Sequence, residues 1–439
     1  MFSISLASCE VKENAEAAKN LIDEVNDLVR DLGSVSCMSF TEAEHHILEG
    51  TRALGQKLLE LYASKQASAK ETEPVSCPKC EKSCRSWRKR ERQLTTLCGV
   101  IRVERWVYHC DAKHYHTPWD TKHKLKGKYT HRVAEMMCRF AAHFDFRSAA
   151  EELSRQGVIV SHKTVHKKVR EWSKDLRALE QVECQTLGAN ERWYVSTDGC
   201  HTNSPEGWKE TKVSCIYRDY PQLGPNSISR ARPESIRYIA NRQNAAQSGK
   251  DLYALATRSG IYQEDIMKQE VVSIGDGAPW IWNNSDEYFP NAVEIVDYMH
   301  AKSHLYAAAK YAFGEPATEK VEAWTQKVEP LLFEGRIPEV VSHIRALETE
   351  NPEERKNFER EAGYFQKHAK RMLYKTFREK GYQITSSVIE SACQHVVAQR
   401  CRRASMRWTD EGLNAILQLR CMIKNKTWEK YWYPDTIAA

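Results

Sequence analysis

The stretch Trp193-Tyr194-Val195-Ser196-Thr197-Asp198-Gly199-Cys200 is the one on which the fold turns. A short strand-forming run leads into an aspartate and a glycine. The pattern returns at Val271-Val272-Ser273-Ile274-Gly275-Asp276-Gly277-Ala278. Outward from these two, residues 212–217, 236–239 and 293–296 are further short apolar runs, and residues 245–259 read as a helix. Strands, then a helix, then alternating strands and helices predict a mixed α/β sheet over residues 190–300. A third acid stands in another setting. In Thr385-Ser386-Ser387-Val388-Ile389-Glu390-Ser391-Ala392 the glutamate falls in the first turn of a helix.

Aspartates at the ends of adjacent strands, with a glutamate from a helix beside them, suit hard divalent cations, which take carboxylate oxygens. Two such ions can clamp the attacking and leaving oxygens of a phosphodiester displacement. Each acid also has a plainer reading. Asp198-Gly199 and Asp276-Gly277 are turn dipeptides that could simply end their strands. Ser387 and Glu390 have capping-box spacing. Asp297 and His300 end the run 293–296 and open a helix, so Asp297 also reads as an N-cap. His304 follows one turn after His300, but no third transition-metal ligand is evident.

The chain has 439 residues, enough for several domains. With 41% hydrophobic and 28% charged residues it can build cores, which excludes global disorder. No apolar run approaches the length of a bilayer span, and no signal peptide opens the chain, so a cytosolic protein is expected. In that reducing setting, its 14 cysteines read as buried thiols or metal ligands.

One group of cysteines stands apart. Cys77-Pro-Lys-Cys80 is half of a zinc knuckle, and Cys110 with His114 or His116 can complete it as Cys₃His, with Cys84 and His109 as weaker candidates. Between the halves runs Arg85-Ser-Trp-Arg88-Lys89-Arg90-Glu-Arg92, and Lys122, Lys124, Lys126 and Lys128 follow. Basic clusters with an interleaved tryptophan suit phosphate contact and base stacking. Residues 145–173 read as a helix-turn-helix: a first helix from Phe146, Gly157 in the turn, residues 158–160 packing the corner, and Ser161 capping a second helix. His162, Lys163, Thr164, Lys167 and Lys168 would face DNA, and the competing reading is an ordinary helical hairpin. Arg400, Arg402, Arg403 and Arg407 follow Glu390 and could grip DNA beside it.

Taken together, the segments Ile274-Gly-Asp-Gly-Ala-Pro-Trp-Ile-Trp282, Ile295-Val-Asp-Tyr-Met-His-Ala-Lys-Ser-His-Leu305, Val388-Ile-Glu-Ser-Ala-Cys-Gln-His-Val-Val397 and Ser405-Met-Arg-Trp408 resemble the ISKra-type bacterial insertion-sequence transposases of the Mutator-like superfamily. The likeness covers most of the chain. It departs where Thr385-Ser386-Ser387 and Ser405 stand in place of the family's Gly-Ser-Gly and Gly. The resemblance implies a catalytic triad of Asp198, Asp276 and Glu390 holding Mg²⁺ or Mn²⁺, with Asp297 and His300 as auxiliary residues. It implies a multidomain α+β chain: helical residues 1–70, a zinc-ribbon-like segment 76–120, a helix-turn-helix at 130–180, and an RNase-H-like core at 190–300 and 385–425. An all-α insertion at 301–384 and a tail at 426–439 complete it. The expected activity is metal-dependent DNA cleavage and strand transfer. Expected partners are double-stranded DNA and at least one further copy of the chain, in a bacterial cytoplasm at the nucleoid. Structural Zn²⁺ would sit on Cys77, Cys80, Cys110 and His114. The alternative is a regulatory or catalytically decayed DNA-binding protein.

Overall fold

The structure is a computed structural model that describes residues 11–34, 38–125, 127–174, 176, 182–186, 191–219, 230–263, 266–267, 270–314, 318–349 and 351–434. Lys126 lies outside the described residues. The backbone divides into two compact units, Met1–Val169 and Arg170–Ala439.

The first unit opens with helices α1 (Val11–Ser34) and α2 (Phe40–Ser68). Ser39 caps α2 in a reciprocal box with Glu42. Its last turns run through Ala67. Ala63 and Ala67 are small enough to let the next sheet approach, and they share a core with Leu94, Ile101, Val103 and Trp119. That sheet has four antiparallel strands in the order β1 (Val75–Ser76), β2 (Ser83–Thr96), β3 (Gly99–His109) and β4 (Tyr115–His116). Only residues 100–108 announce a strand in the sequence. The basic run 85–92 is its partner, and charges on both of its faces hide the alternation. The register shifts between Ser86 and Arg88, leaving Trp87 as the extra residue of a bulge. Helix α3 (Pro118–Lys122) leads to α4 (His131–His143), α5 (Phe146–Arg155) and α6 (His162–Ser173).

The second unit is a mixed α/β sheet of five strands, ordered β11 (Val293–Val296), β10 (Val271–Gly275), β5 (Trp193–Ser204), β6 (Gly207–Arg218) and β7 (Arg237–Asn241). The β5–β6 and β6–β7 pairs are antiparallel, while β10 runs parallel to both β5 and β11. Helix α7 (Ala245–Ser259) covers one face, where Trp193, Val195, Ile216, Leu252, Leu255 and Val271 form the core. A two-stranded ribbon, β8 (Tyr262–Gln263) with β9 (Ile266–Met267), precedes β10, and α8 (Pro279–Tyr288) separates β10 from β11.

Among the described residues, five α-helices lie between β11 and the glutamate segment: α9 (Tyr298–Phe313), α10 (Thr318–Phe333), α11 (Ile337–Arg345), α12 (Pro352–His368) and α13 (Tyr374–Glu379). Then come α14 (Ser387–Ala392), a π-helical stretch (Cys393–Ala398), α15 (Gln399–Cys401), α16 (Asp410–Lys424) and α17 (Trp428–Trp432). Within the expected tail, Trp428–Trp432 forms a helix with Trp428 and Trp432 buried. Helix α16 seals the outer edge of β7. The Asn425 amide brackets Tyr238, accepting from its N–H at 2.8 Å and donating to its C=O at 2.9 Å. Asn414 accepts from the Arg242 amide at 2.7 Å. Among the described residues no helix is long and apolar enough to cross a membrane.

Candidate functional site

Strand register puts three acids in a row. Ser196, Ile274 and Ile295 are neighbours across β5, β10 and β11. Two residues on from these stand Asp198, still within β5, and Asp276 and Asp297, just past the ends of β10 and β11. All three, with His300, Ser386 and Glu390, line one cleft of 340 Å³ at that end of the sheet. Such a place, beyond the carboxyl ends of parallel strands, is where open α/β sheets carry their ligands.

Asp198 does not end its strand. β5 continues to Ser204, paired with β6 throughout, so the turn reading of Asp198-Gly199 is overturned. One Asp198 oxygen accepts from the Gly199 amide at 2.7 Å, and the other faces the Cys393 thiol at 3.5 Å. Burial, and then the neighbouring Asp276, pushes the Asp198 carboxyl above its usual range. Asp276 lies just past the end of β10 and accepts from the Ala278 amide at 2.9 Å. No Lys or Arg forms an ion pair with Asp198, Asp276 or Glu390 among the described residues. Acids left without cationic partners in one cleft can take up divalent cations.

The capping-box reading of Glu390 is also overturned. The N-cap is Ser386 and not Ser387, and no side chain caps the helix. The Ser386 hydroxyl lies 3.4 Å from Glu390 Oε1. Asp297 does cap its helix, accepting from the His300 amide at 2.5 Å. Its other oxygen accepts from the Ser386 amide at 2.6 Å. Asp297 thereby fastens the start of the glutamate helix to the sheet. Sequence reasoning missed Ser386 and Cys393, although both flank the glutamate that drew attention. The π-helical stretch begins at Cys393, and π-bulges gather at functional sites.

Of the cations read beside Glu390, Arg402, Arg403 and Arg407 are exposed, but Arg400 is not. It is fully buried with its guanidinium 5.0 Å from the Trp408 ring, so it holds the loop and cannot grip a ligand.

In the first unit, the donor atoms of Cys77, Cys80, Cys110 and His114 all lie within 4.8 Å of one another. Tight turns build each half: the Cys77 amide donates to Lys82, and the Cys110 and His114 backbones pair at 3.2 Å. Glu81 and Lys113 take the positive φ those turns need, +58° and +59°. The Lys79 amide foremost, then that of Cys80, pulls the Cys77 thiol down to about 6. Cys84 is outside the group, and burial pushes its thiol up to about 11. His109 and His116 are outside it too. Nearby, exposed Arg88, Lys89 and Arg90 follow Trp87, whose ring has the Arg88 guanidinium at 3.9 Å and Tyr115 at 5.1 Å.

Helices α5 and α6 form where the sequence places them, each with a side-chain cap. Asp145 accepts from the amides of Arg147 and Ser148 at 3.0 and 3.1 Å, and Ser161 from that of Thr164 at 3.2 Å. Gly157 turns the chain at φ +79°. Val158 alone packs the corner fully; Ile159 is 87% exposed. Val165 and Val169 are buried, while Lys163 and Lys167 are exposed and Thr164 and Lys168 half-buried.

Two proteins of Caldanaerobacter subterraneus subsp. tengcongensis, each bearing the name UPF0236 protein, are similar to this chain. Both are 24% identical over 436 residues, spanning 93% of this chain and 83% and 82% of their own lengths. With the family model matching residues 36–431, the chain belongs to UPF0236, an uncharacterised protein family.

Proposed function

We propose that this protein is a DNA transposase of the Asp-Asp-Glu type, which nicks DNA at the ends of an insertion sequence and joins the freed strand to a target. The observation that carries the reading is the acid row. Asp198 and Asp276 stand at one level on adjacent parallel strands, and Glu390 lines the same cleft without a basic partner. The order β11-β10-β5-β6-β7, with only β6 antiparallel to β5, supports an RNase-H-like core. The five helices between β11 and α14 support the all-α insertion of Mutator-like, ISKra-type enzymes.

Asp198, Asp276 and Glu390 would hold Mg²⁺ or Mn²⁺. Such ions, when bound, lower the pKa of water and neutralise charge on a phosphodiester. The Gly199 and Ala278 amides fix one oxygen of each aspartate, and the other Asp198 oxygen meets only the weak thiol donor of Cys393, which a cation can displace. The nucleophile is water in the nick and a DNA 3′-hydroxyl in strand transfer, so no side chain is joined to DNA. The Cys77, Cys80, Cys110 and His114 group suits a structural Zn²⁺. Tetrahedral arms of about 2.3 Å separate neighbouring sulfurs by about 3.7 Å, and the Cys80 and Cys110 sulfurs are 3.7 Å apart. Arg88, Lys89 and Arg90, the α6 residues Lys163, Thr164, Lys167 and Lys168, and Arg402 and Arg403 would meet double-stranded DNA. Work on two element ends calls for at least two copies of the chain.

The test is Mg²⁺-dependent cleavage of labelled DNA spanning one end of the flanking element, by the purified protein and by Glu390→Gln. Cutting at the boundary that disappears in the variant is the expected result. Binding without cutting by both proteins would instead favour a regulatory DNA-binding protein.

A further inference from the structure

Helix α12 lies in the helical segment between β11 and α14, and no motif marked it in the sequence. Two of its side chains nonetheless reach the surroundings of the acid cleft. Glu361 is 4% exposed, and its Oε2 is hydrogen-bonded to Nδ1 of His304. Its other oxygen accepts from Arg360 at 3.3 Å. The His304 ring lies flat on Tyr364, with centroids 3.7 Å apart and planes 19° apart. Tyr364 in turn donates its hydroxyl to the Asp276 carbonyl at 2.9 Å. Nε2 of His304 stands 3.3 Å from Nε2 of His300, which lines the cleft with the acids.

With both imidazoles neutral, hydrogen-bond bookkeeping fixes the tautomers. A neutral imidazole has one donor nitrogen and one acceptor, and a carboxylate only accepts. Facing Glu361, His304 therefore carries its hydrogen on Nδ1. Its Nε2 is then the acceptor, so Nε2 of His300 is the donor. The nitrogen left over is a bare Nδ1 on His300. A carboxylate behind a histidine orients the ring and raises its basicity.

Resting on the reading of the cleft as a DNA-cleaving site, we infer that Glu361 and His304 are positioning residues that leave His300 Nδ1 free to accept the proton of the attacking hydroxyl. The nucleophile's oxygen bonds to phosphorus as the P–O3′ bond breaks, its electron pair leaving with O3′. The nucleophile's proton passes to His300 Nδ1, and solvent protonates O3′. The positive charge gained by His300 is shared along the chain that ends on Glu361.

The full chain labelled with ¹⁵N-histidine tests this by two-bond ¹H–¹⁵N correlation, His300 being assigned with His300→Gln. Where the ring is neutral, His300 should be the Nε2–H tautomer alone. His304→Phe keeps a ring on Tyr364 but has no nitrogen, and should give a tautomer mixture. Its kcat for nicking should fall by about 10²-fold, the usual worth of a placed base, with KM little changed. Glu361→Gln retains an acceptor for His304 and should lose less than Glu361→Ala. An Nδ1–H tautomer in the wild type, or an unchanged kcat in both His304→Phe and Glu361→Ala, would overturn the inference. The tautomer is read without cleavage. A protein that shows it and never nicks DNA overturns the nuclease reading and leaves the relay standing.

Discussion

Ser405 sits at φ +62°, in the left-handed region where a side chain crowds the backbone. Glycine takes that conformation without strain. Ser405→Gly should therefore raise stability by about 1 kcal/mol, read as a higher Tm in calorimetry. Ser387, beside Glu390, carries no such strain, since it is not among the residues of positive φ. Asp198 gives a second outcome at this scale. Its carboxyl is pushed up by burial and by Asp276, so the folded state binds its proton more tightly than the unfolded chain does. Stability is then lost as pH rises through the window between the unfolded value, about 4, and the raised folded one. Asp198→Asn should melt higher than the wild type at neutral pH without divalent ions. The gap should close below about pH 4, and Mg²⁺ should stabilise the wild type alone.

Among the elements, the Cys/His group makes the sharpest prediction. Cys110→Ser should remove the bound metal, about one Zn²⁺ per chain in the wild type, and lower the melting of the hairpin unit. Cys84→Ala should leave the metal content unchanged, because Cys84 stands outside the group. Elemental analysis with calorimetry reads both. The three thiols of the group were legible because cysteine spacing survives in sequence whatever the fold around it, while only the fold separates His114 from His116. The two aspartates were legible for a similar reason: short, nearly continuous apolar runs led into each of them. What hid β2 was its chemistry, since Arg88, Lys89 and Arg90 show no apolar side to a pattern search. What hid the burial of Arg400 was its long stem, which lets a cation lie inside against Trp408. Glu361 and Tyr364 were invisible for a third reason. They meet His304 and Asp276 from 57 and 88 residues away, and only tertiary structure closes such distances.

Across the whole molecule, the sheet of the second unit ends at β7, where Asn425 and Asn414 on α16 occupy the outward backbone groups of Tyr238 and Arg242. An open strand edge invites a strand from another chain, and such pairing propagates without limit. Asn425→Leu should unmask the Tyr238 amide and carbonyl, and light scattering on warming should report aggregation well below the wild-type melting point. The intact rim has a consequence for assembly. Copies of this protein cannot polymerise by splicing sheets along β7. Any complex joined on that side must be made by side chains or by a bridging ligand.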